Sequence, residues 1–116
     1  MFKAIYLTKS DQFRAELRDL DDTELEANTP AADTTVEIDY STINYKDGLA
    51  LTNKSPIVRK WPMVPGIDCA GSVPTGTSSQ VRTGDKVVLN GCGAGDTVWG
   101  GLAQRGRYRG EQLVRI

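Results

Sequence analysis

The residues best suited to chemistry lie in Asn44-Tyr45-Lys46-Asp47-Gly48. A Tyr hydroxyl and an Asn amide are neutral hydrogen-bond donors of fixed geometry, fit to polarise a carbonyl oxygen. The same spacing has a purely structural reading. Asn44 is a favoured helix N-cap, Asp47 stands where a carboxylate favours a helix start, Tyr45 packs its ring, and Lys46 and Asp47 meet solvent. Spacing alone leaves both readings open, although Asp47 suits a helix start better than a catalytic acid. A second cluster is cationic: Lys54, Arg59 and Lys60 occur in a stretch with no acid from Gly48 to Ile67. Such residues bind phosphates or solvate a loop. Gly91-Cys92-Gly93-Ala94-Gly95-Asp96 imitates a phosphate-cradling glycine loop. It fails the G-x-G-x-x-G spacing at Asp96 and has no helix after it, so it reads as a turn.

Other chemistries are excluded by composition. The chain has no histidine and two cysteines, Cys69 and Cys92. Histidine acid–base catalysis, Ser-His-Asp triads and a four-cysteine zinc site are therefore unavailable within it. Cys92 has no basic neighbour in sequence to lower its pKa, which argues against a nucleophile. Asp68 and Asp85 read as turn or strand-edge acids, and Trp61 and Trp99 as core or cleft wall.

Several elements must position these residues. Phe2–Leu7 reads as a strand, and Phe13, Ala15 and Leu17 alternate as the buried face of a second. Asp19–Ala32, acidic and containing Pro30, reads as a loop. Thr34–Thr42 is the clearest strand, with Val36, Ile38 and Tyr40 on one face. A short helix follows at Asn44–Leu51, then a proline-punctuated loop to Pro65. Gly66–Val73 and Lys86–Asn90 are strands, each entered by a turn, Pro65-Gly66 and Gly84-Asp85. Gly71 inside the first of them marks a bulge or a close approach of another backbone. Leu102–Arg109 and Gln112–Arg115 are late strands. Many short strands with regular turns predict a mainly β barrel or sandwich with one or two short helices.

The 116 residues suit a single domain, 1–116. A net charge of −1 lacks the basic footprint of a nucleic-acid binder. No apolar run approaches the ~20 residues of a membrane helix. The N-terminus is too short and polar for a signal peptide, so the expected location is cytoplasmic. Charge is uneven: Asp11–Asp39 holds ten acids and two bases, whereas Leu102–Ile116 holds four arginines and one acid. These read as solvated faces, or the basic end as a contact for an anionic ligand or second domain.

Three segments together resemble the N-terminal GroES-like domain of the medium-chain dehydrogenase/reductase superfamily. They are Ser41-Thr42-Ile43-Asn44-Tyr45-Lys46-Asp47, Pro65-Gly66-Ile67-Asp68-Cys69-Ala70-Gly71, and Trp99-Gly100-Gly101-Leu102-Ala103. Within that superfamily they are similar to the acryloyl-CoA reductase/quinone oxidoreductase branch. The resemblance implies a GroES-like, partly open β-barrel and a zinc-independent oxidoreductase. Its chemistry is hydride transfer from NADPH to an activated alkene of an enoyl-CoA, or to a quinone. It implies that Tyr45 and Asn44 lie at the nicotinamide and the reacting substrate, with Lys46 and Asp47 in support. Arg59 and Lys60 would meet substrate phosphates. In the branch the NADPH-binding Rossmann domain is a separate unit, which these residues do not contain. The expectation is that this chain alone binds NADPH weakly, turns nothing over, and is a monomer or weak dimer. Two other expectations compete: a stand-alone β-barrel binding module, and a non-catalytic fragment.

Overall fold

The computed structural model describes residues 1–74 and 81–116. Its secondary structure is mainly β. Strands β1 (Phe2–Lys9) and β2 (Phe13–Leu20) form an antiparallel hairpin. β3 (Thr34–Tyr40), β4 (Asp68–Ser72), β5 (Lys86–Asn90), β6 (Arg105–Tyr108) and β7 (Val114–Arg115) form an antiparallel sheet in the order β6-β3-β4-β5-β7. Among the described residues β6 and β7 do not pair with each other, so the barrel stays partly open, as expected. Two helices, α1 (Asp22–Asn28) and α2 (Tyr45–Thr52), and a 3-10 turn at Gly110–Gln112 complete the elements.

Two sequence expectations need correction. Asp19–Ala32 is not a loop throughout: β2 runs to Leu20 and α1 occupies Asp22–Asn28. The acids there are helix-start chemistry. The Asp21 carboxylate accepts from the Glu24 N–H at 2.8 Å, Asp22 and Glu24 occupy the positive first turn, and Leu25 anchors the helix in the core. Nor do Phe13, Ala15 and Leu17 form a buried face; Leu17 is 65% exposed. Among the described residues β2 pairs only with β1, and β1 supplies the buried residues Phe2, Ala4 and Leu7. Beyond these corrections, β4 starts at Asp68 rather than at Gly66, and the two late strands are shorter than expected.

The hairpin is tied down by β1. The Leu7 N–H donates to the Met63 carbonyl at 2.8 Å and the Ile5 N–H to the Leu102 carbonyl at 3.0 Å. Beneath it Phe2, Leu7, Leu20, Leu25, Met63 and Trp99 form one apolar cluster. Val36, Cys69, Val73, Val87, Leu89 and Tyr108 form a second, within the five-stranded sheet. Each large side chain so buried contributes about 1.5–3 kcal/mol.

Gly71 has the role its place in a strand suggested. A Cβ there would collide with the Glu37 carbonyl of β3, opposite the irregular register between Ile38 and Tyr40. Gly66, at φ +110°, lets the Pro-Gly turn zip onto the Trp99-Gly100-Gly101 segment. The Gly100 N–H donates to the Val64 carbonyl at 2.6 Å and the Leu102 N–H to the Pro65 carbonyl at 3.0 Å. Two motifs far apart in sequence are thus one structural unit.

Candidate active site

The start of α2 is built as the sequence predicts, and then tied to the Pro-Gly turn. Asn44 is the N-cap, extended at φ −105° and ψ 170°, and forms a capping box with Asp47. One Asp47 oxygen accepts from the Asn44 backbone N–H at 2.9 Å and from its Nδ2 at 3.2 Å. The other accepts from the Ile67 N–H at 3.1 Å, which joins helix to turn. Asp47 is only 1% exposed, so the expectation that it meets solvent is overturned; it is a buried, hydrogen-bonded helix-start carboxylate.

Asp68 completes the network. Its carboxylate accepts from the Thr42 hydroxyl at 2.8 Å and 2.9 Å, from the Thr42 N–H at 3.2 Å, and from Asn44 Nδ2 at 3.3 Å. Asn44 Nδ2 also reaches the Thr42 Oγ1 at 3.1 Å. With carboxylates on two sides, the amide nitrogen of Asn44 is committed to Asp47, Asp68 and Thr42. Tyr45, next in sequence, is the opposite case: it is 85% exposed and among the described residues its hydroxyl has no partner. A free neutral donor thus stands on a rigid helix start.

Beside this network runs an open groove of about 310 Å³, lined by Tyr40, Thr42, Asp68, Ala70, Val88 and Asn90. Tyr40, which lines the groove, and Ile43 are 76% and 72% exposed. Thr42 and Asp68 were not singled out as functional in the sequence. The available signal was the Asp of Pro-Gly-Ile-Asp together with Ser-Thr-x-Asn, whose mutual contact needs the β3–β4 pairing. Cys69, at the groove floor, is buried 4% exposed, and its thiol donates to the Tyr108 hydroxyl at 3.8 Å. Burial pushes its pKa up to about 11, against the lowering effect of the Tyr108 hydrogen bond. It is therefore a protonated, unreactive thiol at neutral pH.

Lys46 leans away from the groove and pairs with Asp96 at 2.9 Å. Burial alone would raise the Asp96 pKa; hydrogen bonds from Lys46 and Thr97 and the Lys46 charge outweigh it and hold the carboxyl below its ordinary value. The Asp96 carbonyl accepts from the Arg59 N–H at 2.8 Å. Asp96, the residue that breaks the glycine fingerprint, therefore joins α2, the glycine-rich loop and the cationic loop. Neither Arg59 nor Lys60 lines the groove beside Tyr45; Lys60 lines a different hollow. Among the described residues no three His, Cys, Asp or Glu side chains converge on a metal position, and no helix is long and apolar enough to cross a membrane.

Comparison with known proteins agrees with the motifs. The chain is 45% identical over 91 residues to the probable acrylyl-CoA reductase AcuI of Escherichia coli, covering 78% of this chain and 28% of that protein. It is 40% identical over 119 residues to the acrylyl-CoA reductase AcuI of Ruegeria pomeroyi, covering 100% of this chain and 35% of that enzyme. Among solved structures, the yhdH oxidoreductase from Salmonella enterica in complex with NADP superposes with a TM-score of 0.89 at 40% identity, over 97% of this chain and 34% of that one. The chain thus spans about a third of the length of these relatives. Residues 30–114 match the alcohol dehydrogenase GroES-like domain family, and the chain belongs to that family.

Proposed function

We propose that the chain is the substrate-side catalytic domain of a zinc-independent, NADPH-dependent reductase acting on acryloyl-CoA-type enoyl thioesters or on quinones. The observation that carries this reading is the exposed Tyr45 hydroxyl, without a partner among the described residues, on a helix start whose hydrogen-bond network, through Thr42 and Asp68, also lines an open groove. Such a neutral donor fits a nicotinamide–substrate pair. It can hydrogen-bond a carbonyl or carboxamide without placing a charge beside a hydride acceptor. NADPH, when bound, supplies the hydride. Tyr45 donates a hydrogen bond to the substrate carbonyl or to the carboxamide beside it. Asn44 works next to it through position: its amide is locked by Asp47 and Asp68, and this sets the direction in which α2 presents Tyr45. Asp47 and Lys46 hold the helix start from the Ile67 and Asp96 sides. Tyr40 and Ile43 offer an apolar wall from which water is displaced when a second domain or a ligand covers it.

An open groove cannot enclose a cofactor and a substrate together. The 116 residues alone therefore bind NADPH weakly and reduce nothing. The test replaces the aligned segment of the Ruegeria pomeroyi enzyme with this chain. Acryloyl-CoA-dependent or quinone-dependent oxidation of NADPH by the hybrid is expected. A folded hybrid that binds NADPH yet reduces neither substrate class overturns the proposal.

A further inference from the structure

A second hollow, of about 260 Å³, lies between the end of α1, the residues just before β3, and the end of β6. Three cations line it, Lys60, Arg107 and Arg109, and no acid does. Pro30, Ala31 and Val98 give it an apolar wall. It shares no lining residue with the groove beside Tyr45. The chain carries a net charge of −1, so three cations around one concavity with no lining carboxylate is a local concentration of charge.

The state of each cation matters. Lys60 is exposed, and among the described residues its ammonium has no ion-pair partner. Arg107 is half-buried and uses one N–H on the Ala32 carbonyl at 3.2 Å; among the described residues its other donors make no hydrogen bond or ion pair. Arg109 is exposed, pairs with Glu111 and also acts electrostatically on Asp33; both acids lie outside the lining. Two guanidinium forks and one ammonium match the planar, multi-oxygen geometry of a phosphate or carboxylate. The charge falls in the basic C-terminal stretch, while Lys60 comes from a loop remote in sequence.

We infer that this hollow is an oxyanion site that takes a phosphate- or carboxylate-bearing small molecule with a compact apolar portion, bound by Lys60, Arg107 and Arg109 against Pro30, Ala31 and Val98. Two sources share that chemistry: the phosphates of a coenzyme A thioester bound also at the groove lined by Thr42 and Asn90, and an independent small anion. The site does not depend on the reductase reading, since pyrophosphate alone probes it.

The test is a ¹H–¹⁵N titration of the chain with sodium pyrophosphate, and separately with coenzyme A, at low and moderate salt. Pyrophosphate is expected to shift Lys60, Ala32, Arg107 and Arg109 together, saturably, and more weakly as salt rises. The double variant Lys60→Ala/Arg109→Ala leaves the half-buried Arg107 in place and should weaken binding about tenfold or more, from two lost charge-assisted contacts. The surface control Arg14→Ala/Arg82→Ala should leave it unchanged. Coenzyme A shifts that also include Thr42 and Asn90 assign the anion to the substrate; shifts confined to the hollow assign an independent ligand. Both support the site. Shifts scattered over all basic residues, no saturation, or equal loss in the control double variant would overturn it.

Discussion

Replacing Asp47 by alanine tests whether the start of α2 is held by burial and hydrogen bonding or merely decorated with a charge. A solvated carboxylate at a helix start is worth about 0.3–1 kcal/mol. The structure assigns Asp47 more: it is 1% exposed and accepts from Asn44 N–H at 2.9 Å and Ile67 N–H at 3.1 Å. Removing the acceptor strands two backbone donors, each costing about 1–3 kcal/mol when buried. Both are only partly buried, so the lower half of that range applies to each, and the Asn44 N–H bond, which is also the capping-box bond, is counted once. The expected loss is about 2–4 kcal/mol. Urea unfolding followed by the fluorescence of Trp61 and Trp99 measures it. With a slope of about 1.5 kcal/mol/M, the midpoint should fall by about 1.3 M or more. Asp47→Asn keeps one acceptor but turns an amide N–H₂ toward existing donors, and should cost about half as much. A loss below about 1 kcal/mol for Asp47→Ala would refute the reasoning, because Asp47 would then be an ordinary helix-start charge.

Three further outcomes follow from the same structure. At pH 8 Ellman's reagent should titrate Cys92 promptly and Cys69 only on unfolding, because Cys69 is buried with its pKa near 11 while Cys92 is exposed; prompt reaction of both thiols would contradict the buried assignment. Gly71→Ala should destabilise by about 3 kcal/mol, read as a fall in melting temperature, since its Cβ has no room beside the Glu37 carbonyl; a neutral effect would mean that β3 and β4 pair differently. Asp33 is held below its ordinary pKa, chiefly by the Gly110 N–H and further by the Thr34 hydroxyl and the Arg109 charge, and Asp96 lies low for the reasons above. Both carboxyls therefore take up protons more readily when unfolded. Their contribution is complete above the unfolded value of about 4 and is lost as pH falls from there through their lower folded values, so Asp33→Asn should flatten the decline in stability on acidification below about pH 4. An unchanged acid slope in that variant would contradict the shift assigned to Asp33.

The strands were legible where chemistry is local. β3, β5, the Asn44 cap and the Gly71 close approach follow from alternation, capping preference and a lone glycine. α1 was hidden because Pro30 and a run of acids mimic a loop, although the same acids are what begin the helix. The exposed face of β2 was misjudged because alternation reports a face but not which partner covers it; β1 has that partner and β2 does not. At the start of α2 the Asn44 cap was legible by type. The commitment of its amide to Asp68 was not, since Asp68 is 24 residues from Asn44 and meets it only through the β3–β4 register. Asp96 breaks the glycine fingerprint in sequence, yet its side chain and carbonyl tie Lys46 to Arg59 across the loop.

The central claim is that the free Tyr45 hydroxyl is the donor at the reacting centre. The most direct measurement is kcat for acryloyl-CoA reduction by the hybrid enzyme carrying Tyr45→Phe, which keeps the ring and removes one hydroxyl. Loss of a positioned donor should lower kcat about 10²-fold with the melting temperature unchanged, because the exposed hydroxyl has no partner among the described residues. A Tyr45→Phe enzyme with the parent kcat would contradict the account.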